Sequence, residues 1–276
     1  MTRVDTHLHV WRAAEGETPG VTTLVPPQTD VPIERAGAIL ESHGIARAVL
    51  VQPVFRGEDN DYVAGCARSE PDRFAAVCVV DPRAAGAAER LDSWVARGCR
   101  GLRLRPRIAA EATVFGNPST FPLWEAAERL GVVVSLLCGA EHAPAIGQLA
   151  ERFPDVPIVI DHLAHSDTAA GVRDAGFQNL LALARHDRVF VKVSGFYHFT
   201  NTPYPYRDCR ELILAVYDRF GPSRLIWGSD FPHVEVQCGY GRSIEVVEQA
   251  LRASSAVDRE RILGRNALEL YWAAPK

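Results

Sequence analysis

The sequence has no excess of positive charge: 30 Lys and Arg stand against 34 Asp and Glu, a formal net charge of −4. Its arginines are scattered rather than blocked together, so no nucleic-acid partner is expected. No apolar run approaches the roughly 18 residues needed to span a bilayer, which speaks against a membrane partner. The first strand pattern begins almost at Met1, so a signal peptide is not expected. Cys66, Cys78, Cys99, Cys138, Cys209 and Cys238 lack any C-x-x-C spacing. Reduced, buried thiols in a cytoplasmic protein are the resulting expectation. No linker, shift of composition or repeat divides the chain, and residues 1–276 read as one domain.

What is present is a large apolar fraction, 47% of residues, enough for a sizeable core. Short runs rich in Val, Ile and Leu recur at 4–10, 46–52, 74–80, 99–105, 132–138, 157–162, 189–194 and 224–229. Segments of helical periodicity lie near 33–43, 60–69, 84–97, 120–130, 142–152, 173–186, 208–219 and 242–253, with a last one near 258–271. Parallel strands covered by helices have this run-like composition, and eight such alternations predict a (β/α)8 barrel. A doubly wound open sheet is the competitor. Neither G-x-G-x-x-G nor a phosphate-binding loop follows any strand, which counts against it.

Side chains alternate along a strand, so Asp5, His7 and His9 share one face of the first strand. Two adjacent imidazoles at a strand end can grip a metal ion or polarise a carbonyl. The fourth strand points Arg103 and Arg105 the same way, the sixth ends in His162, and the seventh turns Lys192 and Ser194 inward. The eighth ends at Asp230, with His233 just beyond it. Asp161 is expected on the face opposite His162, against backbone or helix, and Lys192 as the structural partner of a carboxylate. So many polar groups are tolerated in one cavity only when they pair, hold a metal or line a wet site. A catalytic site is therefore expected at the C-terminal face of the barrel. Two long connections follow strand ends on that face. Residues 11–32, with Gly16, Pro19, Gly20, Pro26 and Pro27, and residues 195–207, with Tyr197 and His198, are read as lid or pocket wall.

With those residues in view, the chain resembles the amidohydrolase superfamily. It is most similar to the branch that includes sugar lactonases and 2-pyrone-4,6-dicarboxylate lactonase. The likeness rests on V-D-T-H-L-H-V-W at 4–11, G-L-R-L-R-P at 101–106, V-I-D-H-L at 159–163, V-K-V-S-G at 191–195, I-W-G-S-D-F-P-H at 226–233 and I-L-G-R-N-A at 262–267. The resemblance implies a hydrolase that opens a small carboxylated or polyhydroxylated lactone. It makes Asp230 the base that activates water, and His7, His9 and His162 the groups that polarise the carbonyl. It makes Arg103, Arg105, Tyr197, His198 and His233 substrate contacts; the arginines suit a carboxylate through their planar fork.

One departure bears on metal. Many metal-dependent members carry a histidine or a carboxylated lysine on strands four and five, whereas here strand four ends in arginines and strand five in Cys138-Gly139. His142 lies beyond that end, and Cys138 reads as a buried structural thiol. The cofactor expectation is therefore none, or one divalent ion with Zn²⁺ as the candidate, held by His7, His9 and Asp230. The alternative function is a metal-dependent decarboxylase or hydratase acting on an aromatic or muconate-like acid. A small-molecule substrate is expected either way, and a homo-oligomer is left open.

Overall fold

The computed structural model of this protein describes residues 2–13, 23–105 and 114–273. Eight parallel strands follow one another in order around a barrel. They are β1 (Arg3–Leu8), β2 (Ile45–Val51), β3 (Phe74–Val79), β4 (Cys99–Leu104), β5 (Val133–Leu136), β6 (Ile158–Ile160), β7 (Val189–Val193) and β8 (Leu225–Trp227). A doubly wound sheet would put β1 in its middle, and this sequential order left open would have β1 and β8 as edges. Instead the Asp230 amide donates to the His7 carbonyl and the His9 amide to the Phe231 carbonyl, both at 2.7 Å, which joins the first strand to the chain leaving the last.

The outer layer is α1 (Ile33–Ser42), α2 (Asp61–Ser69), α3 (Ala87–Ala96), α4 (Phe121–Leu130), α5 (Ala143–Arg152), α6 (Ala175–Ala182), α7 (Cys209–Phe220) and α8 (Tyr240–Ala250). In α7 the buried residues are Cys209, Leu212, Ile213, Val216 and Phe220, the i, i+3, i+4 stripe that seats a helix on a sheet. Burying each large member stabilises by about 1.5–3 kcal/mol. Helix α4 starts with Pro122 in its first turn and stops at Gly131, whose φ of 65° ends the helix at no steric cost. The C-terminal helical run is α9 (Ala256–Glu260) and α10 (Asn266–Tyr271), joined by a wider turn over Arg261–Arg265. There Gly264 lies against the Thr2 carbonyl so closely that a Cβ would sit 1.8 Å from its oxygen.

The strands sit where the apolar runs predict, but β1, β5, β6 and β8 each stop two residues short of the expected end. The sixth ends at Ile160, before the expected 162, because His162, Leu163, Ala164 and His165 all take left-handed φ values of 47° to 53°. All six cysteines are unpaired and buried. Among the described residues no helix is long and apolar enough to cross a membrane. Gly16, Pro19 and Gly20 of the first long connection lie outside the described residues, and so does Pro106 of the fourth-strand motif.

Candidate active site

Strand β1 delivers His7 and His9 side by side, ring centroids 4.9 Å apart and nearly perpendicular. Its register against the β8 end is fixed by Asp5, buried one alternation below. That carboxylate accepts from the His7 amide at 3.0 Å, the Ser229 amide at 2.9 Å and the Tyr240 hydroxyl at 2.8 Å. Asp230 follows with φ of 62°, so the chain turns sharply and aims its carboxylate back at the histidine pair.

Asp230 is the hub. Its Oδ1 lies 3.5 Å from His7 Nε2 and 3.3 Å from His9 Nε2. Its Oδ2 lies 3.1 Å from His198 Nε2 and accepts a short hydrogen bond from the Tyr197 hydroxyl. Tyr197 and His198, expected as substrate contacts, thus reach the site through this carboxylate. Burial, the largest single influence, pushes the Asp230 carboxyl up, but His162, His198, His9 and His7 outweigh it and hold it well below the usual range. His162 stands on the other side of His7, centroids 4.6 Å apart, with its Nδ1 2.8 Å from Ser194 Oγ.

Asp161 corrects the sequence expectation. It does not face backbone or helix. It is fully buried beneath the site, 2.8 Å from Lys192 Nζ, 3.6 Å from His7 Nδ1 and 3.4 Å from Arg103 Nε. Asp161 lies one alternation above the inward-facing Val159 and so points into the barrel, while the left-handed turn that begins at His162 brings the next side chain to the same cavity. Burial pushes its carboxyl up, yet Lys192, His7 and Arg103 keep it well below the usual value. Lys192 is the carboxylate partner the sequence suggests.

Burial likewise lowers the histidines: His7 is brought to about 3, with the Lys192 charge adding to the effect, and His233 to about 4. These rings are neutral at pH 7. The site opens into a cleft of about 1030 Å³, mouth included, whose polar lining includes His9, Arg103, Arg105, His162, Asp230 and His233. Both arginines therefore reach it. Thr23, Leu24 and His198 also line it, so the described parts of both long connections form its wall.

His165 also lines the cleft, stacked on His162 with a 2° interplanar angle at 5.6 Å. Its signal was the H-x-x-H spacing at 162–165, which eclipses two side chains in a three-residue-per-turn helix. His142 stays out, its ring against Phe115.

Among the described residues three groups could converge on an ion: His7, His9 and Asp230; His7, Asp161 and His162; His162, His198 and Asp230. The first supplies the three ligands a catalytic Zn²⁺ asks for. However, His7 already has Lys192 Nζ at 3.1 Å from Nδ1 and Arg103 Nη2 at 3.4 Å from Nε2. Two cations against one ring leave no place there for a further cation, so the donor set does not fit a metal centred on His7.

An amidohydrolase family profile matches residues 4–272. An L-fucono-1,5-lactonase of Burkholderia ambifaria is 30% identical, over 98% of this chain and 95% of that one. A 4-sulfomuconolactone hydrolase of Rhizobium radiobacter is 29% identical, over 83% and 75% respectively. A crystal structure of an amidohydrolase from Burkholderia multivorans with bound zinc superposes with a TM-score of 0.84 at 23% identity, covering 99% of this chain and 100% of that one, and shows the shared fold.

Proposed function

The chain belongs to the amidohydrolase family and is a hydrolase, and on that premise we propose that it opens a small lactone bearing a carboxylate or several hydroxyls. The reading is carried by one observation: an ionised carboxylate, Asp230, set among three imidazoles within 3.5 Å at the inner end of an arginine-lined cleft. The sugar and muconolactone substrates in the relatives' names support the substrate class.

Asp230 takes a proton from water as its oxygen attacks the lactone carbonyl. Negative charge then grows on the carbonyl oxygen, where His7 and His162 donate hydrogen bonds. The ring C–O bond breaks, the departing oxygen takes the proton back from Asp230, and a hydroxy acid leaves. A carboxylate this far below its usual pKa is always ionised but weakly basic. The scheme therefore suits an activated ester better than an amide. Tyr197 and His198 hold Asp230 by Oδ2, leaving Oδ1 toward the cleft. Arg103 and Arg105 orient the acidic or hydroxylated part of the substrate, with His233 above His9. No step passes through a metal. The six unpaired buried thiols support a cytoplasmic setting for this reaction.

The test is acid release from sugar-acid, muconolactone-type and pyrone-dicarboxylate lactones, with and without chelator. At least one is turned over in chelator, and Asp230→Asn lowers its kcat by about 10²–10⁴-fold. Wild-type turnover by Asp230→Asn overturns the role of Asp230. Activity abolished by chelator and restored by Zn²⁺ favours the metal-dependent alternative.

A further inference from the structure

Lys192 is a fully buried charged side chain in the barrel that the proposed chemistry does not use. Its Nζ touches two groups, Asp161 Oδ1 at 2.8 Å and His7 Nδ1 at 3.1 Å. An ammonium has three donors and no acceptor, so the ring nitrogen beside it must accept. A neutral imidazole with an accepting Nδ1 carries its proton on Nε2, the atom that faces Asp230 Oδ1. The opposite holds two residues along the strand. His9 Nδ1 lies 2.7 Å from the Val51 carbonyl oxygen, which can only accept, so His9 holds a proton on Nδ1. Arg103 Nη2, at 3.4 Å from His7 Nε2, is the competing donor. Its contact is longer than that of Lys192, and Asp161 Oδ1, the acceptor Nδ1 would otherwise use, lies at 3.6 Å, beyond hydrogen-bond distance.

We propose that Lys192, held by Asp161, is a positioning residue that sets the tautomer of His7, so that the two histidines of the H-x-H pair work in opposite tautomers. His7 turns an N–H toward Asp230 Oδ1, at the inner end of the cleft that Asp230 lines, and acts there as a hydrogen-bond donor to a developing oxyanion. His9 presents a ring nitrogen without that fixed proton. The same device keeps His7 from ligating a metal through Nε2, because that atom is occupied by hydrogen. The catalytic consequence rests on the lactonase reading; the tautomer itself does not.

The experiment is ¹⁵N NMR of the full chain labelled in its imidazoles, with the His7 signals identified by their loss in His7→Asn. The expected wild-type spectrum has His7 protonated on Nε2 with Nδ1 accepting, and Lys192→Met shifts it toward the Nδ1–H tautomer. In parallel, Lys192→Met lowers kcat on the order of 10²-fold while KM changes far less, and it binds Zn²⁺ at least tenfold tighter than wild type by titration. If Lys192→Met does not fold, the double variant Asp161→Asn with Lys192→Met removes both buried charges and the tautomer is read there. A wild-type His7 protonated on Nδ1, or an Nε2–H tautomer unchanged by loss of Lys192, overturns the proposal. The spectrum needs no substrate, so failure to turn over any lactone would sink the functional reading and leave this one standing.

Discussion

The barrel interior is lined by the same strands at both ends, and the two ends could hardly differ more. Toward the N-terminal end the inward positions are Val49, Val51, Ala75, Val77, Val133, Val159 and Ile226, packed against Tyr271 from α10. One alternation further up, the character inverts. On β6 Val159 is followed by Asp161, on β7 Phe190 by Lys192 and then Ser194, and on β4 Gly101 by Arg103. The lower layer has no charge to satisfy and contributes apolar burial. In the upper layer each charge depends on a specific partner from another strand, as Lys192 of β7 and Arg103 of β4 depend on Asp161 at the end of β6. Stability is thus spread over many replaceable methyl groups below, and concentrated in a few irreplaceable pairs above.

The sharpest way to break that division is Asp161→Ala. Losing one partner leaves Lys192 and Arg103 uncompensated in the interior, and removing one member of a buried ion pair costs about 3–5 kcal/mol. Stability and turnover should both fall, measured by denaturant unfolding and by acid release; an unchanged unfolding midpoint would show that the upper layer does not carry structure. The complement lies in the lower layer. Ile226→Ala leaves a cavity and costs about 2–5 kcal/mol. Below its own unfolding transition its kcat/KM should match the parent, and a matching loss of activity would show the layers to be coupled.

The two layers were not equally legible in sequence. The lower one follows from period-two burial of Val and Ile, which needs no knowledge of partners. The first-strand histidines follow from the same rule, because β1 runs through His7 and ends at Leu8, just before His9. Asp161 follows as well once Val159 is the inward residue of β6, but His162 does not, since the four consecutive non-glycine residues in the left-handed region that begin there carry no compositional signal. Such a turn costs roughly 1–2 kcal/mol per residue, so only its surroundings reveal it. His165 was lost for the same reason. The pairing of Lys192 with a carboxylate was legible from burial cost alone, but the identity of that carboxylate waited on which face of β6 turns inward.

A third test uses acid. His7 is brought to about 3 and His233 to about 4 when folded, against 6.5 for the free ring. Folded pKa values below the unfolded value mean that the unfolded chain binds more protons in between. The stability is complete above about 6.5 and is lost as pH falls toward those values. Between pH 7 and 5 the buried His7 alone should account for about 1–2 kcal/mol. Denaturant midpoints at pH 7, 6 and 5 check this, and a flat profile would mean the upper layer accepts protons without strain.

The smallest expected effect falls on Cys138, at the border between the layers and at the strand end where metal-dependent relatives would place a ligand. Burial pushes its thiol well up, and the Asp161 charge pushes it further, so the sulfur stays protonated and is neither nucleophile nor metal ligand at neutral pH. Its Sγ makes a weak contact, 4.0 Å from the Leu136 carbonyl oxygen. Cys138→Ala should therefore cost about 1 kcal/mol of packing and leave kcat and KM unchanged. A variant that folds normally but loses turnover would move Cys138 out of the packed layer and into the reacting one, and would show the boundary between them to lie one residue lower on β5 than its chemistry suggests.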